Sequence, residues 1–233
     1  MNDLTALLKD ELLQHGADMV GIGDLSELPP DVRHDLTVGI SVAVKYPDIV
    51  IQGIGEFPTG AYNNWYIKLN ERLDMLVTLG AEKLQSLGYK AIAMTRAFVG
   101  NGETENNTAL PHKTVATRAG IGWIGKSALL VTEQYGSMIR LSSILTDAPL
   151  DTAEPVNQSK CGDCMICTVA CPAGAISGRE WSTELSRDGF FDPGKCRKTA
   201  KERAFKGFGG GNTICGKCIE ICPYTRQAWG TGF

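Results

Sequence analysis

Apolar residues recur along the first two thirds of the chain at alternating helical and strand spacings. Leu4, Leu7, Leu8 and Leu12 fall on one face of a helix that Asp3 is placed to cap and Gly16 to stop. Residues 19–22 form a short buried strand. After Pro29-Pro30, residues 38–44 are apolar nearly throughout, as in a sheet covered on both faces. Residues 49–60 are a glycine-rich connection. Over 62–87, Trp65, Leu69, Leu73, Leu76, Leu79 and Leu84 keep helical spacing up to Gly88, which predicts the longest helix. A third strand follows at 91–94, then a polar loop over 100–108 rich in Asn, Gly and Thr. A short helix at 112–118 leads into a turn at Gly120. Residues 128–132 and 138–145 read as a strand pair joined through Gln134, Tyr135 and Gly136. Helices alternating with strands predict an α/β domain over residues 1–150.

Beyond residue 150 the pattern changes. Residues 151–159 are polar and read as a linker into a second domain, 151–233, which holds all eight cysteines. Cys161, Cys164, Cys167 and Cys171 before Pro172 form the C-x2-C-x2-C-x3-C-P run of bacterial ferredoxins, whose first three thiolates hold one 4Fe-4S cluster and whose fourth holds another. The later group, Cys215, Cys218 and Cys222 before Pro223, has Asn212 where an intact run would begin, and Cys196 is the one cysteine left. Counting then assigns Cys161, Cys164, Cys167 and Cys222 to one cluster and Cys171, Cys196, Cys215 and Cys218 to a second. A disulfide framework suits small secreted chains better, and structural zinc rarely uses two reciprocal runs ending in Cys-Pro. The result is a ferredoxin-like domain with two 4Fe-4S clusters.

Charge narrows the partners. With 23 basic and 26 acidic residues the formal charge is −3, so there is no global electrostatic case for nucleic acid or membrane. The one basic patch is a helix after Asp192-Pro193 carrying Lys195, Arg197, Lys198, Lys201, Arg203 and Lys206, either a solvated face beside anionic clusters or a docking site for a partner or RNA. The N-terminus has neither a basic leader nor a twin arginine, and no apolar run approaches the roughly 20 residues of a spanning helix, so a cytoplasmic protein is expected. The histidines, His15, His34 and His112, read as surface or helix-end residues.

The stretch 120–127, Gly-Ile-Gly-Trp-Ile-Gly-Lys-Ser, matches both a phosphate-loop and a dinucleotide pattern. A phosphate loop needs a buried strand before it and a helix starting at the lysine. Here a polar segment precedes and an apolar strand follows, so a tight backbone turn beside another ligand is the better reading.

That same stretch, extended back to Arg118, together with Gly136-Ser137, the 146–150 segment Thr-Asp-Ala-Pro-Leu and the split cysteine set, resembles the cobalamin-dependent epoxyqueuosine reductases and, more distantly, the reductive dehalogenases. The similarity covers most of residues 17–228. It implies a nitroreductase-like α+β sandwich followed by the double-cluster domain. It also implies a base-off corrinoid fed singly with electrons by the clusters, which an external donor of ferredoxin or flavodoxin type reduces. The corrinoid-side residues carried over are Arg118, Gly120, Gly122, Trp123, Ile124, Gly125, Lys126, Gly136 and Ser137. Two departures bear on substrate. The family's proton-donor aspartate corresponds to Asn106, with Glu103 and Glu105 as the nearby acids, and the Tyr-His pair of the long helix is Tyr66-Ile67. The helical-repeat tail that grips tRNA in full-length members has no counterpart before Phe233. A substrate other than epoxyqueuosine tRNA is therefore expected. The contrasting reading is a ferredoxin-like electron-delivery module that docks a partner and binds no corrinoid.

Overall fold

The computed structural model describes residues 2–100 and 108–229. In chain order the elements begin with α1 (Asp3–Gln14), β1 (Met19–Asp24), β2 (Val38–Lys45), α2 (Asp48–Gln52), α3 (Gly60–Ser86), β3 (Ala91–Ala93), α4 (Arg96–Gly100) and α5 (His112–Arg118). They continue with β4 (Trp123–Ile124), β5 (Leu130–Val131), β6 (Ile139–Thr146), α6 (Ile166–Ala170), α7 (Pro193–Phe208), α8 (Lys217–Glu220) and α9 (Pro223–Ala228). The fold is mixed α/β. Contacts divide it into two compact units, one made of 1–44, 69–122 and 140–156, the other of 45–68, 123–139 and 157–233. The single break at residue 150 suggested by the polar linker is not how these contacts divide the chain. The physical reason lies in the cysteine segment, which has short helices and little apolar mass. Residues 123–139 supply part of its core, where Ile124 and Ala128 pack with Trp181 and Phe190.

In the first unit the sheet runs in the order β1-β2-β6-β3. β1 is antiparallel to β2 with Met19 opposite Ala43, and β3 is antiparallel to β6 with Ala91 opposite Thr146. Positions 39–44 of β2 are all buried, as an apolar strand with both faces covered requires. The expected pairing of 128–132 with 138–145 is not formed. β5 pairs with β4 instead, β6 enters the main sheet between β2 and β3, and only Thr132 and Gly136 bridge the intervening turn. An apolar strand such as β6 buries more surface inside a sheet than in an isolated hairpin. α1 is capped one residue earlier than expected, by Asn2, whose side chain accepts the Thr5 amide at 2.8 Å. Leu8 and Leu12 are buried while Leu7 is exposed.

α5 lies against β1 at Gly23, where a Cβ would come within 2.4 Å of the Arg118 carbonyl carbon. A side chain there would push Arg118 and the following turn off the sheet. The first residue of α5, His112, is at a helix end as expected but is partly buried, with Nδ1 3.1 Å from Ser143 Oγ. Burial, and then the nearby Arg140 cation, push its pKa down to about 4.

The second unit holds the short helices α6, α8 and α9 and the longer α7. α7 has the ends its sequence demands: Asp192 accepts the Lys195 amide at 2.9 Å, Pro193 occupies the first turn, and Gly209 closes the helix at φ 87°. Among the described residues no helix is long and apolar enough to cross a membrane.

The depressed His112 pKa gives a pH prediction. The unfolded chain binds a proton near pH 6.5 that the folded chain refuses until about pH 4, so stability should fall as pH drops through that window. His112→Gln should flatten this slope in urea melts taken between pH 7 and 4.5. An unchanged slope would place the titrating group elsewhere.

Candidate metal centre

All eight cysteines are free thiols, and the fold gathers them round two cavities. Cys161, Cys164, Cys167 and Cys222 line the first, together with Gly125, Lys126 and Tyr224. Cys171, Cys196, Cys215 and Cys218 line the second, with Leu129, Ile176 and Ala200 among its walls. Cys218 borders both. Each run therefore sends its last cysteine across: Cys171 from the first run reaches the second cavity, and Cys222 from the second run reaches the first. Asn212, at the place of a missing leading cysteine, lines neither; its amide donates to Asn63 Oδ1 at 2.8 Å. The second cavity draws its replacement thiol from Cys196, which α7 holds by an amide bond to the Asp192 carbonyl at 3.1 Å.

Burial dominates the electrostatics of these thiols, and neighbouring cysteines add to it. Cys167 is pushed up to about 11 by burial, then by Cys161, Cys222 and Cys164. Cys196 is pushed up to about 11 by burial, then by Cys215 and Cys171. Burial raises Cys218 and Cys222 as well, Cys222 against the pull of the Thr225 and Tyr224 amides. Crowded, half-buried sulfurs cannot all carry negative charge without a cationic metal among them. A cubane fits this donor set: its iron corners spread four thiolates round a body, as the cysteines are spread round each cavity.

The turn after Gly120 supports the first set. Lys126 is 4% exposed, and its ammonium donates to the Gly162 carbonyl at 2.6 Å and the Cys164 carbonyl at 3.1 Å. Among the described residues it has no acidic partner, and a buried cation without one is costly unless an anion lies close. The cysteine-lined cavity it borders would supply that anion when it holds a cluster. Glu180 grips the same loop from its other side, accepting the Gly162 amide at 2.6 Å. Trp123 is buried with its ring 4.9 Å from that of Tyr224, and Ile124 pairs with Leu130 and packs on Trp181 and Phe190.

Gly136 and Ser137 serve the segment after Cys222. Gly136 has φ 54°, and a Cβ on it would lie 2.2 Å from the Thr225 amide nitrogen. The Ser137 amide donates to Thr225 Oγ1 at 3.1 Å. Arg118 and Gly120 belong to the first unit. Arg118 pairs with Glu27 and donates to the Val156 carbonyl at 2.8 Å, and Gly120 faces the Glu154 carbonyl. Gly122 also falls in the first unit. Glu103, Glu105 and Asn106 lie outside the described residues.

Residues 160–225 match the family described as the 4Fe-4S double cluster binding domain. The epoxyqueuosine reductase of Listeria monocytogenes is 31% identical over 202 residues, covering 80% of this chain and 48% of that protein. The chain is similar in sequence to the epoxyqueuosine reductases. Relatives of that name are oxidoreductases, and this chain spans about half the length of the curated ones it matches. Two solved structures share the fold. A reductive dehalogenase described for B12-dependent dehalogenation superposes with TM-score 0.71 at 17% identity, covering 94% of this chain and 31% of its own. An epoxyqueuosine reductase bound to an epoxyqueuosine-modified tRNA stem loop superposes with TM-score 0.61 at 20% identity, covering 99% and 66%.

Lys126 and Thr225 are the residues whose roles a sequence reading of this chain does not reveal. Lys126 is singled out by its glycine-rich setting but not as a brace for a loop some 36 residues on. Thr225 carries no motif at all.

Two predictions test the bracing. Lys126→Met leaves the Gly162 and Cys164 carbonyls without a donor, which should cost about 1–3 kcal/mol. The first cluster should then bleach several-fold faster in chelator while the second persists; equal loss of both would contradict the assignment. Gly136→Ala should likewise reduce occupancy of the first site, read as iron per chain after reconstitution, because it displaces Thr225 and with it Cys222.

Proposed function

We propose that the chain is an iron-sulfur oxidoreductase that passes electrons singly through two 4Fe-4S clusters to an acceptor held by the same chain, a base-off corrinoid by resemblance to its relatives. The observation that carries the reading is the pair of cavities that between them are lined by all eight cysteines, with Cys218 in the wall of both. Each cluster, when bound, stores and releases one electron at a time. The chain's part is to hold them close, to brace the first with Lys126 and to keep water from the second with Leu129, Ile176 and Ala200. The first unit is proposed to be the nitroreductase-like sandwich that the resemblance implies.

Side chains carried over as corrinoid contacts do not fit that role well. The ammonium of Lys126 is bonded to the cluster loop, Gly136 is filled by Thr225, and Arg118 is held by Glu27 and Val156. This observation favours a second reading, an electron-delivery protein that reduces a docked partner. Epoxyqueuosine is not the substrate we propose. An amide at Asn106 cannot deliver the proton that carbon-directed reduction requires, a transfer usually contributing roughly 100- to 10,000-fold in rate.

Anaerobic reconstitution with iron, sulfide and cobalamin separates the readings. The oxidoreductase reading expects about eight iron atoms per chain and a base-off cob(II)alamin signal by EPR. Eight irons with cobalamin passing through a desalting column unbound would establish the delivery module instead. About four irons in fully reconstituted protein would sink both. Cys196→Ala should remove one cluster and leave the other.

A further inference from the structure

α7 is built as two faces. Cys196, Ala200 and Ala204 recur every four residues, and both alanines are buried, so this stripe faces inward and places Cys196 and Ala200 in the wall of the second cavity. Outward lie Lys195, Lys198, Lys201 and Phe205, all exposed, with Phe205 71% exposed. The helix carries six basic residues against one acidic, Glu202, in a chain whose formal charge is −3. Arg203 and Lys206 are turned to one side, the first bonded to the Glu56 carbonyl and both lying over the Phe57 ring. Lys195 pairs with Asp192 at 3.4 Å. Among the described residues Lys198 and Lys201 have no acidic partner. An exposed aromatic on the same helix face as Lys198 and Lys201 has the composition of an interface centre with a charged rim.

We propose that this outer face of α7 is the docking surface for an acidic, low-potential one-electron carrier protein, which reduces the second cluster through the helix. The proposal rests on the two-cluster reading given above. Three features fit an electron carrier. The face lies on the helix that supplies Cys196, so a partner seated on it is separated from the second cavity by one helix, about 10 Å across, and electron transfer falls steeply with distance. The positive sign complements an acidic carrier and steers its approach. One helix face with a single large apolar residue suits the small, transient interfaces of redox partners. The carrier is favoured over RNA because the cations stand on the helix that supplies a cysteine to the second cavity. In the step itself one electron leaves the reduced carrier and enters the oxidised second cluster. No bond is made or broken and no proton moves.

The test uses reconstituted holoprotein with both clusters verified by absorption. Under anaerobic conditions, reduced flavodoxin is mixed with the oxidised protein, and cluster bleaching is followed by stopped flow at low and high salt. The expected result is that Lys198→Glu/Lys201→Glu slows reduction roughly tenfold or more at low salt and that high salt slows the wild type towards the variant. Dithionite should reduce both proteins equally, and Lys198→Arg/Lys201→Arg should keep the wild-type rate. Equal rates for wild type and the glutamate variant, or insensitivity to salt, would overturn the proposal. So would unchanged donor kinetics in a variant that loses retention of a transfer RNA stem loop on a filter, which would assign the face to RNA. Absence of clusters from the reconstituted wild type would instead count against the two-cluster reading.

Discussion

The second unit depends on one buried charge. Lys126 is almost wholly enclosed, and its ammonium is bonded to two carbonyls of the loop that presents Cys161, Cys164 and Cys167. Those bonds fix the direction of the loop, but carbonyl dipoles alone do not balance a full positive charge in a low-dielectric interior. The balance comes from sulfur and iron. A cluster held by those cysteines would carry net negative charge beside Lys126, and each would then favour the other. Folding of this loop and loading of its cluster are thereby coupled, as they are for other structural metal sites.

Cys171, the last cysteine of the first run, lines the second cavity, and Cys222, the last of the second run, lines the first, while Cys218 lies in both walls. The segment is too poor in apolar residues to hold this arrangement unaided. It borrows Ile124, Ala128, Gly136 and Ser137 from 123–139, so the glycine-rich turn that resembles a nucleotide loop is a buttress for the cluster domain.

Much of this was legible in the sequence. α1, β1, β2, α3, α5 and both ends of α7 follow from apolar spacing and from caps at Asp192, Pro193 and the glycines. Counting suggests four cysteines for each cluster; the cavities are lined by those sets, with Cys218 lining the first cavity as well. What could not be read was long-range. The partner of 128–132 is set by β4 and not by the next strand, and no local pattern states that β6 belongs to the main sheet. The cap at Asn2 is a one-residue competition between equally suitable side chains. Lys126 and Thr225 act on segments 36 and 88 residues away from their partners, through carbonyls and amides that every residue possesses, so composition is silent about them.

The central claim is that two clusters sit side by side, with Cys218 between them. Low-temperature EPR of the reconstituted protein, reduced stepwise, tests it most directly. With one electron per chain the spectrum should be that of a simple spin-half cluster. With two, magnetic interaction between neighbouring reduced clusters should broaden and split the signal. A fully reduced spectrum that is only the sum of two non-interacting clusters, or that of a single cluster, would contradict the account.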